Sequence, residues 1–158
     1  MKHTLSILVE NQFGVLVRIA GMFSGRGFNI DTLNVAPSLD ATTSRLTIVV
    51  RSDDKILDQV SKQLAKLVNV LSVDDLSDES PQHRELILLR VKNESSTQAD
   101  IIKLCERFSA TIIEQQPTSL GIEITDSEDN INNFLELINP FGIIDLTRTG
   151  KLALPRTA

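Results

Sequence analysis

The chain of 158 residues has no tryptophan, no tyrosine, one cysteine and two histidines, and each scarcity removes a class of chemistry. Without Trp or Tyr it lacks the usual platforms on which bases and sugars stack. A single cysteine, Cys105, excludes an internal disulfide framework. It falls on the apolar face of a predicted helix beside Ile101, Leu104 and Phe108, where a cysteine is most simply core filler. His3 and His83 stand near the N-terminus and in a polar stretch, so no His/Cys/Asp cluster has metal-ligand spacing. Serine and cysteine nucleophiles are equally unsupported. Positive charge is short as well: 16 Lys and Arg against 21 Asp and Glu leave a net charge of −5, with DDLSDE at Asp74–Glu79. An extended nucleic-acid surface would show the opposite bias, clustered. No apolar run reaches the roughly 18 residues of a membrane span. The N-terminus carries neither a signal-peptide apolar region nor an arginine-rich transit segment, so a cytoplasmic protein is expected, or a stromal one if plastid-encoded.

What is present is a globular chain with 41% apolar residues, enough for packed cores. Thr4 to Glu10 alternates Leu5, Ile7 and Val9 with polar residues, the period of a half-buried strand. After Gly14 the period changes. Leu16, Ile19, Ala20 and Phe23 recur at helical spacing, and Gly25 and Gly27 stop the helix. Strands are expected over Phe28–Ser38 and Arg45–Arg51, joined by SLDATTS, then a helix with Ile56, Val60, Leu64 and Leu67 on one stripe behind Ser52 and Asp53. A strand through Val68, Val70 and Val73 completes the order strand, helix, strand, strand, helix, strand. That order predicts the ferredoxin-like split βαβ arrangement, an antiparallel four-stranded sheet with two helices on one face.

SDESPQHR, Ser77 to Arg84, interrupts the pattern as a linker. A second unit then repeats the order: a strand over Glu85–Lys92, a helix over Thr97–Phe108, strands over Thr111–Gln116 and Ser119–Thr125, a helix over Ser127–Asn139 and a strand over Ile143–Thr147. The expectation is α+β, two ferredoxin-like βαββαβ domains at 1–76 and 85–158 with a linker at 77–84.

The candidate site is the Asn11–Gly14 connection. Free N–H groups at the start of the helix point back into it, and with the helix dipole they favour a carboxylate or phosphate. Asn11 ends the first strand and Asn29 begins the second. Their amides offer both donors and acceptors for an α-ammonium and an α-carboxylate, beside the N–H groups of Gly14, Val15 and Leu16. The same residue types also suit a tight turn and a helix cap. Spacing alone leaves open whether Asn11 and Asn29 converge within one chain or across a dimer. Gly21, Gly25 and Gly27 form no nucleotide-binding pattern, and Arg18 and Arg26 read most simply as solvent-facing helix charges.

The run TLSILVENQFGVLVRIAGMFSGRGFNIDTLNVAPS, followed by SRLTIVV, KQLAKLVNVL and RELILLRV, resembles the regulatory small subunits of acetolactate synthase, also called acetohydroxyacid synthase. The resemblance covers nearly the whole chain, its first half being similar to ACT amino-acid-binding domains. It implies a noncatalytic regulatory subunit of branched-chain amino-acid biosynthesis that activates a catalytic large subunit and makes it subject to feedback inhibition by valine. It implies no cofactor in this chain, with thiamine diphosphate, magnesium and FAD on the catalytic partner, and neither nucleic acid nor membrane as a partner. It also implies a homodimer through paired ACT domains with valine at their interface, at positions matching Asn11, Gly14, Val15, Leu16, Asn29 and Ile30. Phe13 stands where members often carry a smaller residue or proline, which alters the pocket rim. The rival readings are a free-standing ACT-type sensor of another small amino acid, an RNA-binding module of the same element order, and a small ferredoxin-like enzyme. The absent Tyr and acidic balance oppose the second, and the lack of a positioned acid–base pair opposes the third.

Overall fold

The computed structural model describes residues 1–77 and 82–155. It divides into two compact units, Met1–His83 grouped with Lys151–Ala158, and Arg84–Gly150. In the first, β1 (Lys2–Glu10), α1 (Val15–Ser24), β2 (Ile30–Pro37), β3 (Thr43–Arg51), α2 (Asp54–Leu64) and β4 (Val70–Asp75) follow in order. The second has β5 (Gln82–Lys92), α3 (Gln98–Arg107), β6 (Thr111–Gln115), β7 (Ser119–Asp126), α4 (Glu128–Ile138), a 3-10 turn at Asn139–Phe141 and β8 (Ile143–Arg148), and a short β9 (Leu152–Leu154) follows it in the chain. The sheets run β2-β3-β1-β4 and β6-β7-β5-β8, and the pairings within each four-strand path are antiparallel. Both units are therefore ferredoxin-like, as the element order implies. Of the expected linker, residues 78–81 lie outside the described residues, and β5 opens at Gln82 within it. β9 has no counterpart among the sequence-based expectations, because three residues carry too little pattern.

The repeat is clearest in what is buried. Leu5, Ile7, Val9, Ile19 and Phe23 in the first core reappear at one constant offset as Ile87, Leu89, Val91, Ile101 and Cys105 in the second. Leu46, Ile48, Val50, Leu57, Val60 and Leu64 reappear at another as Leu120, Ile122, Ile124, Ile131, Phe134 and Ile138. The offset changes between β2–β3 and β6–β7, where the second hairpin is shorter. Leu57, rather than the expected Ile56, faces the core, and Ile56 is exposed. In α1 the buried stripe is Val15, Ile19 and Phe23, with Leu16 left 40% exposed. In each helix the first position of the expected stripe moves by one residue, about 100° around the axis, while Ile19, Phe23, Val60 and Leu64 are buried as expected, because the apolar band is wider than the face the sheet can cover.

The end of α1 is a Schellman motif. Phe28 N–H donates to the Phe23 carbonyl at 3.1 Å and Gly27 N–H to that of Ser24 at 3.1 Å, with Gly27 left-handed at φ 74°. The Phe28 ring meets Phe23 edge-on at 6.4 Å, so the residue expected to begin the second strand serves as the apolar clasp of the helix end. β2 starts afterwards, at Ile30.

Candidate functional site

β1 ends at Glu10, and Asn11 is held by two hydrogen bonds to the β2–β3 hairpin. Its N–H donates to the Thr42 carbonyl at 2.8 Å, and its Nδ2 to that of Ala41 at 3.0 Å. Gly14 is the N-cap of α1 in the left-handed region, φ 80°, with no side chain to cap the helix and no acidic residue in the first turn. A Cβ there would touch nothing within 4 Å, so glycine is needed for conformation and the space above it is open. The N–H groups of Leu16 and Val17 have no intrahelical acceptor. An uncapped, acid-free helix start is an anion-accepting corner.

Asn11, Gly14, Val15 and Leu16 thus lie together, whereas Asn29 and Ile30 do not join them. Ile30 pairs with Val50, and Val50 pairs with His3 at the start of β1, while Glu10 at its end pairs with Thr43. At about 3.3 Å per residue, the strand from His3 to Glu10 separates the two groups by roughly 23 Å. Within one protomer they occupy opposite ends of the sheet, and no single amino acid spans them.

Around this corner apolar surface is left open. Phe13 is fully exposed and Val17 76% exposed. Edge strand β2 presents Leu33 and Val35, both exposed, on the side of the sheet where their partners Ile48 and Leu46 face the core. An edge that carries apolar side chains beside unpaired backbone groups is built to be covered.

Glu10, Arg18 and Asn69 are a group that the sequence did not announce. Arg18 Nη1 donates to Asn69 Oδ1 at 2.8 Å, and Asn69 Nδ2 donates to Glu10 Oε2 at 2.6 Å. Arg18, expected as a simple solvent-facing charge, is exposed but engaged. No spacing marks the trio, because its members come from a strand end, a helix turn and a loop.

The second unit has a different surface. Its α3–α4 groove holds a cavity of about 480 Å³ lined by residues including Arg107, Asp126, Asn133 and Glu136. It is polar and open, and Asp126 is already committed to the Ser127 N–H and Asn130 Nδ2. In the core of this unit the Cys105 thiol is pushed up from its ordinary pKa by burial, so it stays protonated and unreactive at neutral pH. Glu85, buried, takes a bidentate bridge from Arg148 Nε and Nη2, each at 2.8 Å. Among the described residues no three His, Cys, Asp or Glu side chains are grouped to hold a metal, and no helix is long and apolar enough to cross a membrane.

The comparisons agree with one another along the chain. Residues 5–72 match the model of the AHAS small subunit-like ACT domain, and residues 84–157 that of the small subunit of acetolactate synthase. A probable acetolactate synthase small subunit of Archaeoglobus fulgidus is 44% identical over 156 residues, 99% of this chain and 98% of that protein. The acetolactate synthase small subunit of Aquifex aeolicus is 41% identical over 156 residues, 98% of this chain and 81% of its own length. The crystal structure of the acetolactate synthase small subunit from Thermotoga maritima superposes with a TM-score of 0.92 at 34% identity, covering 100% of this chain and 99% of that one.

Proposed function

The chain belongs to the family of acetolactate synthase small subunits, the noncatalytic regulatory partners of a thiamine-diphosphate enzyme, and from that premise we propose that its first unit binds valine between two copies of itself. The observation that carries the reading is the register of the first sheet. Asn29 and Ile30 sit at the opposite end from Asn11, Gly14, Val15 and Leu16, and antiparallel pairing of two β2 edges brings one protomer's Asn29 end alongside the other's Asn11 end. The same pairing covers the apolar edge of β2 and the exposed side chains at the start of α1.

In this arrangement the ligand carboxylate sits on the open N–H groups of α1, its ammonium meets the amide oxygens of Asn11 and Asn29, and its isopropyl group is buried against Leu16 and Ile30. Burial of that group contributes about 1.5–3 kcal/mol, enough to reject glycine and alanine but little help against leucine or isoleucine. Feedback requires valine to favour the arrangement of the assembly that supports less catalysis. A coupling of about 1–3 kcal/mol gives a several-fold to hundredfold effect, and the catalytic subunit must then alter valine affinity by the same factor.

Calorimetric titration with valine, leucine, isoleucine and alanine tests the site, on the isolated chain and on its complex with the catalytic subunit. Saturable valine binding that Gly14→Asp abolishes is expected. Valine binding indifferent to Gly14→Asp, or no heat from valine in either preparation, overturns it.

A further inference from the structure

We propose that the side chain of Asn69 is a positioning residue for the ligand loop, clamping both of its ends at once. Residues 11–14 are suspended between the end of β1 and the first turn of α1. Asn69, in the turn that leads into β4, holds both: its Nδ2 donates to Glu10 Oε2 at 2.6 Å, and its Oδ1 accepts from Arg18 Nη1 at 2.8 Å. Guanidinium only donates and carboxylate only accepts, so the bridging group must accept on one side and donate on the other. A carboxamide does this. An aspartate would face Glu10 with a second acceptor and a second negative charge.

The second unit shows that the bridge is an addition and not a need of the fold. There Lys92 N–H donates to the Gly142 carbonyl at 3.0 Å, as Glu10 N–H does to the Asn69 carbonyl at 2.9 Å. The backbone join between first and last strands is thus made in both units. The position of Asn69 is held in the second by Gly142, which has no side chain, and a Cβ there would meet Lys92 Cδ at 2.9 Å. At the offset that carries Ile19 onto Ile101, the place of Arg18 is taken by Asp100. A fold that closes without the bridge in one unit, yet carries two charge-assisted bonds across the same join in the other, uses them to fix the loop and not the sheet.

The inference rests on reading residues 11–16 as the ligand loop, and the test separates the two ideas by using two readouts, valine affinity and hydrogen exchange in the full chain of the Asn11 and Arg18 amides, which close the two ends of the loop on the Thr42 and Gly14 carbonyls. Asn69→Asp is expected to weaken valine roughly tenfold, the loss of about one charge-assisted bond's worth of preorganisation, and to speed loop exchange. Pairing it with Glu10→Gln restores the match of donors to acceptors, since the Arg18 guanidinium and the new glutamine amide can both donate to the carboxylate at position 69. The double variant therefore recovers both readouts. Asn69→Gly, which copies the second unit's residue and keeps the backbone join, is expected to speed exchange as Asn69→Asp does. If Asn69→Asp and Asn69→Gly exchange as the unaltered chain does, or if the double variant is no better than Asn69→Asp, the clamp is overturned. If exchange follows the expected order while valine binds none of the chains, the clamp stands and the valine reading fails.

Discussion

The connections β1–α1 and β5–α3 are the same turn built for two purposes. In each, an asparagine follows the last residue of the first strand and pins the neighbouring hairpin with backbone and side chain alike. Asn11 bonds to Thr42 and Ala41, and Asn93 to Thr118 at 3.0 Å and Gln116 at 2.8 Å. The amide donor of Asn11 is therefore structural, and the difference lies in what comes next. The first helix starts from Gly14, with the Val15 N–H reaching the Gln12 carbonyl only at 3.5 Å and the N–H groups of Leu16 and Val17 open. The second starts from Thr97, with Glu94 accepting the N–H groups of Thr97 and Gln98 and Asp100 in the first turn. One helix start is left open to an anion and the other is filled by its own chain.

The comparison breaks most visibly at Gly14. In the valine site proposed above, an aspartate there places a carboxylate beside that of the ligand, and a like pair about 4 Å apart costs about 4 kcal/mol at an effective dielectric of 20. Valine affinity should fall at least about hundredfold. Gly14→Asn bears the same left-handed backbone with no charge, so it should lose only a few-fold. The equivalent change in the second unit, Ser96→Asp, should leave valine titrations unchanged. Equal losses in Gly14→Asp and Gly14→Asn would mean that shape, and not charge, governs the corner.

Next in size is the Glu85–Arg148 bridge, which has no counterpart among the described ion pairs of the first unit that is as buried. Arg148→Met leaves the Glu85 carboxylate buried without its cation and should destabilise the second unit by about 2–4 kcal/mol. Cys105 reports this selectively, because the sole thiol lies in the second core. Alkylation of Cys105 should accelerate in Arg148→Met while valine affinity of the first unit holds. Unchanged alkylation would show that the bridge contributes nothing measurable.

A third difference is at the start of the last strand. Gly142 has φ 92° and Lys92 packed over it, so Gly142→Ala should cost about 1–2 kcal/mol. Asn69→Ala in the first unit meets neither obstacle and should cost less in a denaturant melt, even as it loosens the loop. A larger loss at Asn69 would make its side chain part of the fold.

Much of this was legible because the two units bury the same pattern. Alternation in β1 and β5 and helical spacing in α2, α3 and α4 fix element order, and antiparallel order follows from it. Helix rotation was less legible: Leu16 and Ile56 are as apolar as Val15 and Leu57, and only the sheet's position chooses between them. Asn11 and Gly14 stood out as turn chemistry, but their separation from Asn29 needed strand register, which sequence spacing does not contain. Asn69 was invisible for a further reason. Its importance lies in facing a donor on one side and an acceptor on the other, and those partners come from distant segments.

The smallest expected effect separates the units by pH alone. Burial raises the Cys105 pKa above its ordinary value, so the unfolded chain gives up this proton at lower pH than the folded one does. The stabilisation from keeping a neutral thiol is complete below the unfolded value and is lost as pH rises through the folded one. The second unit should therefore weaken slightly in alkaline buffer above the ordinary thiol range. The first unit, with Phe23 at the matching core position, should not share this loss. Cys105→Ala should remove the difference, since no thiol then remains to ionise. Hydrogen exchange of β5 and α3 amides against those of β1 and α1, followed from neutral pH to about pH 10 and corrected for the intrinsic base-catalysed rate, measures it. If the alkaline weakening of the second unit survives Cys105→Ala, another group carries it, and the exchange of phenylalanine for cysteine between the two cores has no electrostatic consequence.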